Sequence, residues 1–197
     1  MFVVVPRSDR LRSAVEDAMR TLYLTRYDAR LSSFAKIIVA ELGPANNLEC
    51  AAGIRFGNET LFSECYLDLP IERVLEEHLS HTVRRDRIVE VSHLAAPNPG
   101  HSIEFVKNII ETLRALGIEW AIFTATRPLR SLLRRNGLAM IELGCAARSR
   151  VADPDSWGHY FRHDPRVMAV GQRMAFGSKG FRAASSAPLL SVNAQIF

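Results

Sequence analysis

Lysine is scarce in this sequence: of its 25 basic residues only Lys36, Lys107 and Lys179 are not arginine. Arginine presents a planar fork to carboxylates and phosphates, so small anionic ligands are in range. The excess of basic over acidic residues is small, 25 against 21, which excludes nucleic-acid binding on charge alone. Cysteine is equally sparse. Cys50, Cys65 and Cys145 are odd in number and widely spaced, which fits neither a disulfide framework nor a zinc site; buried thiols in a reducing compartment are expected, and no metal. No apolar run approaches the roughly 18 residues of a spanning helix, so no integral membrane segment is expected. The apolar start Met1–Val5 is broken at once by Arg7, Asp9, Arg10 and Arg12. It does not read as a secretion signal, and a cytoplasmic protein is expected. The sequence also lacks internal repeats, a Gly-x-Ser-x-Gly elbow and a zincin motif, although His159 and His163 lie one helical turn apart.

At 48% hydrophobic, the chain of 197 residues has enough apolar material for a sizeable core. Residues 1–175 read as one domain. Residues 176–197 read as a Gly/Ser/Ala-rich tail closed by the apolar segment Leu189–Phe197. The N-terminal strand Phe2–Val5 leads into a helix starting near Ser8 or Asp9, with Leu11, Val15, Ala18, Met19 and Leu22 on one face. Lys36–Leu42 and Leu48–Phe56 read as a hairpin around Gly43–Asn47, and Thr60–Leu67 reads as a third short strand. Pro70 opens a helix that carries Ile71, Val74, Leu75 and Leu79.

The second half is more regular. Ile88–Ala95 reads as a buried strand, followed by a helix from the N-cap Ser102 to Gly117. Trp120–Ala125 is the next strand, Thr126 caps a helix with Pro128 in its first turn, and Leu138–Leu143 returns as a strand. Strand–helix–strand units with short connections predict a parallel pair with a right-handed crossover. Joined to the meander of the front half, they predict a mixed α/β sheet with flanking helices.

The runs LFSECYLDLPIE (Leu61–Glu72), RIVEVSHLAA (Arg87–Ala96), IEWAIFTATRPLRSLLRRNGL (Ile118–Leu138) and WGHYFRHDPRVMAVG (Trp157–Gly171) resemble the thermostable hemolysin family in order and spacing. Ser92-His93 stands where that family carries a Gly-Asn pair. Glu90–Ala95 also resembles the Glu-Leu-Ser-Arg-Phe element of acyl-homoserine lactone synthases, and Leu132–Leu138 resembles their Arg-x-Gly turn. The resemblance implies a GNAT-like, mostly antiparallel sheet with a splayed parallel strand pair. It implies an acyl-phosphopantetheine thioester in the cleft between those strands, and S-adenosylmethionine as a possible amine donor. It places Glu90 at an acidic active-site position, Arg55 on the arginine after the third strand and Asp28 near the substrate amine. His93 takes the place of an arginine, and Thr124 and Trp157 fall among the substrate-binding positions.

Acyl transfer to an amine needs a base for the amine's proton, stabilisation of the carbonyl oxygen and a leaving thiol. Glu90, an acid inside the apolar run Ile88–Val91, is the first candidate for the base. The alternative is an ion pair between Glu90 and Arg55. Glu64 is a second catalytic candidate; its alternative is a place on an exposed face. The turn Pro97–Ser102 offers a single glycine, a poor phosphate cradle. It favours a donor on acyl carrier protein over an ordinary acyl-CoA. Arg127, Arg130 and Arg134 fall on one helix face, suited to docking an acidic carrier protein, or simply solvated. The expected activity is transfer of an acyl group from acyl carrier protein or acyl-CoA to a small amino compound. A membrane-active hemolysin and a non-catalytic binding module are the alternatives, and oligomeric state is not legible.

Overall fold

The protein is described by a computed structural model over residues 1–44 and 47–172. The segment 176–197, read above as a tail, lies outside the described residues. Within them one sheet contains β1 (Phe2–Pro6), β2 (Ile37–Leu42), β3 (Leu48–Phe56), β4 (Ile88–Ala95), β5 (Trp120–Ala125), β6 (Ile141–Cys145) and β7 (Arg166–Gly171). The strand order is β1-β2-β3-β4-β5-β7-β6, and every pairing is antiparallel except β4 with β5. The mixed, mostly antiparallel sheet with one parallel pair is the one expected.

Alternation along the strands divides the helices between two faces. On β2 and β3, Ile38, Ala40 and Ala51 pack under α1 (Arg12–Tyr27) through its Val15, Met19 and Tyr23. Val39, Cys50, Ala52 and Ile54, from the same strands, meet Phe105, Ile109 and Leu113 of α3 (Pro99–Ala115) on the other face. Helix α2 (Ile71–His78) buries Ile71, Val74 and Leu75 against Ile88, Trp120 and Ile122. Helix α4 (Arg127–Arg135) buries Leu133 in a cluster with Phe123 and the α3 residues Val106 and Ile110. So α1 and α2 cover one face, α3 and α4 the other.

Four elements differ from the sequence reading. Helix α1 begins at Arg12 because the Asp9 carboxylate accepts from the Leu11 amide at 2.8 Å, closing a local turn first. Helix α3 begins at Pro99, with Asn98 rather than Ser102 as its cap, accepting from the Gly100 amide at 2.9 Å. The last connection is not a simple βαβ return: β7, which no periodicity announces, inserts between β5 and β6. Residues Phe62–Tyr66 form a 3-10 turn instead of a strand, because the amides of Phe62 and Ser63 bond the Glu90 carboxylate at 2.8 and 2.7 Å. With those donors taken, the segment cannot extend a sheet ladder.

Two features position the cleft. The β4 and β5 backbones pair only over Ile88–Glu90 and Trp120–Ile122, then part. On its other side β4 carries one extra residue against β3, between the pairs Ser92–Gly53 and Ala95–Ala51, and His93 there adopts φ 51°. A bulge of this kind bends its strand and increases its twist, and here it lies just beyond the point where β4 and β5 part.

Candidate functional site

The cleft opens where β4 and β5 separate, on the face carrying α1 and α2. Its walls come from Tyr23 of α1, the turn residues Phe62, Ser63 and Tyr66, the β4 segment Glu90–His93, Thr124 of β5, and Trp157 and Tyr160 of the long β6–β7 connection. That connection is pinned to α1. The Arg30 amide donates to Ser156 at 2.6 Å and the His159 amide to the Tyr27 carbonyl at 2.8 Å. Gly158 makes this contact possible: its φ is 51°, and a Cβ there would lie 2.3 Å from the Tyr27 oxygen and 2.4 Å from that of Asp28. Gly158→Ala is therefore expected to cost about 2–3 kcal/mol and several degrees of melting temperature. Thermal unfolding checks this; an unchanged midpoint would mean that the connection does not need this approach.

At the floor of the cleft lies Glu90, 1% exposed. Its Oε1 accepts from the Ser63 amide at 2.7 Å and the Ser63 hydroxyl at 2.6 Å; its Oε2 accepts from the Phe62 amide at 2.8 Å and Arg55 Nη1 at 3.2 Å. Each oxygen is thus engaged twice, so the carboxylate has no lone pair left for an incoming amine. The ion pair with Arg55 named as the alternative is present, and direct contact between Glu90 and an amine is not available in this arrangement. A polar line continues from it toward the opening. The Ser63 hydroxyl donates to Glu90, and its oxygen lies 3.1 Å from the Thr124 hydroxyl. With the Ser63 hydrogen committed to Glu90, Thr124 is the donor in that contact, and its two lone pairs are the outer end of the line.

His93 sits on the bulge in the cleft wall, half-buried, its ring tilted or edge-on to Phe34 and Tyr23 and within 10° of parallel to Trp157. Burial, with a smaller contribution from the Arg55 charge, pushes its pKa down to about 4. The unfolded chain therefore binds a proton as pH falls below the ordinary value of about 6.5, while the folded one stays neutral until about 4. Stability is full above that window and declines through it. Wild type is expected to lose about 1–2 kcal/mol between pH 6.5 and 5 from this residue, and His93→Phe to lose that slope. Urea titrations at the two pH values read it directly, and parallel slopes in the two proteins would sink the assignment.

Trp157, Tyr160 and Phe161 pack on one another, with Trp157 also against Phe62. Tyr160 is buried and the other two are partly so. They form an aromatic wall rather than an exposed patch. Among the described residues no helix is long and apolar enough to cross a membrane.

Of the candidates read from sequence, Glu90, His93, Thr124 and Trp157 line this cleft, and Arg55 touches it through Glu90. Glu64 does not. Its carboxylate is held by Arg85 at 2.6 and 2.9 Å and by the Ile71 amide at 3.1 Å, and the Arg85 bonds hold it below the usual carboxylate range. An ion-paired, acid-shifted carboxylate is a poor base, so the second catalytic assignment is corrected. Asp28 caps α1 in a left-handed conformation, and its exposed side chain lies outside the cleft lining.

Arg130 is no surface residue. It is buried, donating to the Ala125 carbonyl at 2.8 Å and to the Asp164 carboxylate at 2.8 Å, so only Arg127 and Arg134 of that trio are exposed. Buried Arg12 is likewise spent on the carbonyls of Val5, Ala35 and Lys36. Arginine richness therefore reports backbone tethering and pairing with the chain's own carboxylates. Cys145 is exposed, contrary to the expectation of buried thiols, while burial raises Cys50 to about 12 and Cys65 to about 11.

Several solved structures share this fold. FeeM, an N-acyl amino acid synthase from uncultured soil microbes, is 13% identical with a TM-score of 0.59, covering 88% of this chain and 95% of its own. LasI, an acyl-homoserine lactone synthase, is 11% identical with a TM-score of 0.57 over 87% of this chain and 90% of its own. BjaI, a CoA-dependent acyl-homoserine lactone synthase solved with S-adenosylmethionine and isopentyl-CoA, is 12% identical with a TM-score of 0.54 over 88% and 83%. No curated protein matches the sequence. The model of one family, thermostable hemolysin, matches residues 5–176, and over that span, nearly all of the described sheet and helices, the chain belongs to the thermostable hemolysin family.

Proposed function

We propose that the protein is an N-acyltransferase that moves an acyl group from a phosphopantetheine thioester to the amine of a small amino compound. The observation that carries this reading is the parting of β4 and β5 after three paired residues, with the Thr124–Ser63–Glu90 line at the floor of the opening. A thioester fits such a gap because an extended pantetheine arm finds unpaired strand backbone there. The neighbours of like fold, an N-acyl amino acid synthase and acyl-homoserine lactone synthases, support the class of reaction.

The chemistry follows from what the residues offer. The amine enters as an ammonium and gives up one proton to the Thr124–Ser63–Glu90 line. Its nitrogen then attacks the thioester carbonyl, a C–N bond forms, the C–S bond breaks, and a second N–H proton leaves with the sulfur as the thiol. The amine's own proton passes to Thr124, whose hydrogen moves to Ser63 while the Ser63 hydrogen moves to Glu90 Oε1. Glu90 thus acts as a terminal base without touching substrate, while Arg55 and the two turn amides hold its carboxylate in place.

On the donor side, Asn98 occupies the Gly100 amide in the single-glycine turn, which favours a carrier-protein donor that needs no diphosphate cradle. Arg127 and Arg134, both exposed on α4, suit the acidic partner. Acyl-CoA remains the other donor of the same chemistry. S-adenosylmethionine and amino acids are the acceptor classes to test, and the donor class suits a reaction in the cytoplasm.

The test incubates purified protein with acyl carrier protein or CoA thioesters of several chain lengths and a panel of amines. Expected is thiol release matched by an N-acyl product in mass spectra. Thioester loss without any N-acyl product would overturn the reading. Leakage from liposomes in the absence of donor would move the function to the membrane-active alternative.

A further inference from the structure

Among the described residues, Nδ1 of His93 is the one buried side-chain polar atom without a hydrogen-bond partner. A sealed nitrogen of this kind is uncommon and calls for a physical account. The ring is half-buried and lines the cleft, and the sealed atom is Nδ1, so the ring's accessible edge is that of Nε2. The two nitrogens differ in what they can hold. A proton on Nδ1 would be an enclosed donor with no acceptor, while a bare lone pair there suits the positive field of nearby Arg55, which disfavours added charge on the ring. A proton on Nε2 can meet water or a ligand. The neutral ring therefore carries its hydrogen toward the cleft.

The backbone supports a functional reading of this residue. His93 holds φ 51°, a conformation uncommon for any residue with a side chain although Asn, Asp and His enter it more often than the rest, and such conformations persist where the surroundings over-determine them. Here Tyr23, Phe34 and Trp157 surround the ring, and the bulge places it three residues beyond Glu90 on the strand that opens the cleft. A base is not what this environment makes: an imidazole that stays neutral to such low pH gives little driving force for taking a proton from an amine. A neutral N–H donor in an aromatic, partly desolvated wall suits an oxygen that gains negative charge.

Resting on the acyl-transfer reading, we infer that His93 is a catalytic residue whose Nε2–H donates to the carbonyl oxygen of the acyl thioester as that oxygen becomes negative. The same strand supplies both halves of the chemistry, with Glu90 ending the proton line and His93 facing the carbonyl.

Two measurements test it. First, nitrogen NMR of labelled protein reports the tautomer, followed by titration with an acyl-pantetheine ketone in which a methylene replaces the thioester sulfur. Expected is the Nε2–H form in free protein, a shift of that resonance on binding, and weaker ketone binding, by about tenfold, in His93→Phe. An Nδ1–H tautomer, or an unmoved resonance with ketone bound, would overturn the proposal whether or not transfer is seen. Failure of the ketone to bind at all would overturn it too.

Second, with the best donor and amine, His93→Phe keeps the ring packing and is expected to lower kcat by roughly 10²–10³ with the amine KM within about twofold, while His93→Gln returns most of the rate through its amide donor. Melting temperatures of both variants identify any failure to fold. A Phe variant with wild-type kcat overturns the role, as does a change confined to KM. Absence of transfer by wild type, with the ketone bound and His93 responding, would instead reject the acyl-transfer function and leave the carbonyl contact standing.

Discussion

Glu90→Gln is expected to lower folding stability by about 3–5 kcal/mol, a large part of the 5–15 kcal/mol by which a domain of ordinary stability persists. The reason is in the four bonds that meet this carboxylate. An amide offers one oxygen and one NH₂ group where the protein presents four donors: the amides of Phe62 and Ser63, the Ser63 hydroxyl and Arg55. Whichever way the amide turns, its NH₂ faces two donors, and Arg55 loses its anionic partner in a setting where its own side chain is 14% exposed. The change is small in volume but wrong in polarity. Its consequence reaches the fold, since the Phe62–Tyr66 turn is held to the sheet through this side chain. Urea unfolding of the variant checks the value. A variant as stable as wild type would show that the carboxylate is not ionised or not bonded as described.

How much of this is legible in the sequence depends on the range of the interaction that decides each element. Ile88–Ala95, Trp120–Ala125 and the helix after Thr126 read at their observed places, because local apolar periodicity, a cap and a first-turn proline suffice. The Phe62–Tyr66 turn does not. Its alternation reads as a strand, and the group that changes its conformation is a carboxylate 27 residues downstream of Ser63. Strand β7 escapes for a related reason: its short apolar run acquires meaning only once β5 and β6 stand two strand-widths apart with a vacant ladder between them.

The same contrast runs through the site. Glu90 stands out because an acid in an apolar strand violates the local pattern, and His93, Thr124 and Trp157 come from resemblance. Ser63 has no signal of its own, since a serine beside a phenylalanine in a turn is ordinary until the tertiary fold places it between two other side chains. Arg130 and Glu64 fail in the opposite sense. Helical spacing and strand alternation assign a face, but neither states what the rest of the chain lays over that face. In the folded protein Arg130 meets the Asp164 loop, and Glu64 meets Arg85.

Ser63→Ala is expected to separate catalysis from architecture at this point. The alanine keeps the Phe62 and Ser63-position amides that bond Glu90, so the turn remains anchored and the cost is that of one hydroxyl bonded to an ion, on the order of 1–3 kcal/mol. Catalysis should suffer far more. Between Thr124 and Glu90 the only bonded link described is the Ser63 oxygen, 3.1 Å from one and 2.6 Å from the other; without it the proton line is cut. If the line carries the amine's proton, turnover falls by roughly 10²–10³, within the range of general-base contributions. Thr124→Val should give a loss of similar size by removing the outer end, and the double variant should be little worse than either alone, because two breaks in one line are not additive. Substrates with a weakly basic amine, deprotonated before they bind, should lose much less in all three. Measured rates for the single and double variants, with an alkylamine and a weakly basic amine, decide the matter. Additive losses, or equal losses for both amines, would mean that the hydroxyls hold the shape of the cleft and that the proton leaves by another route.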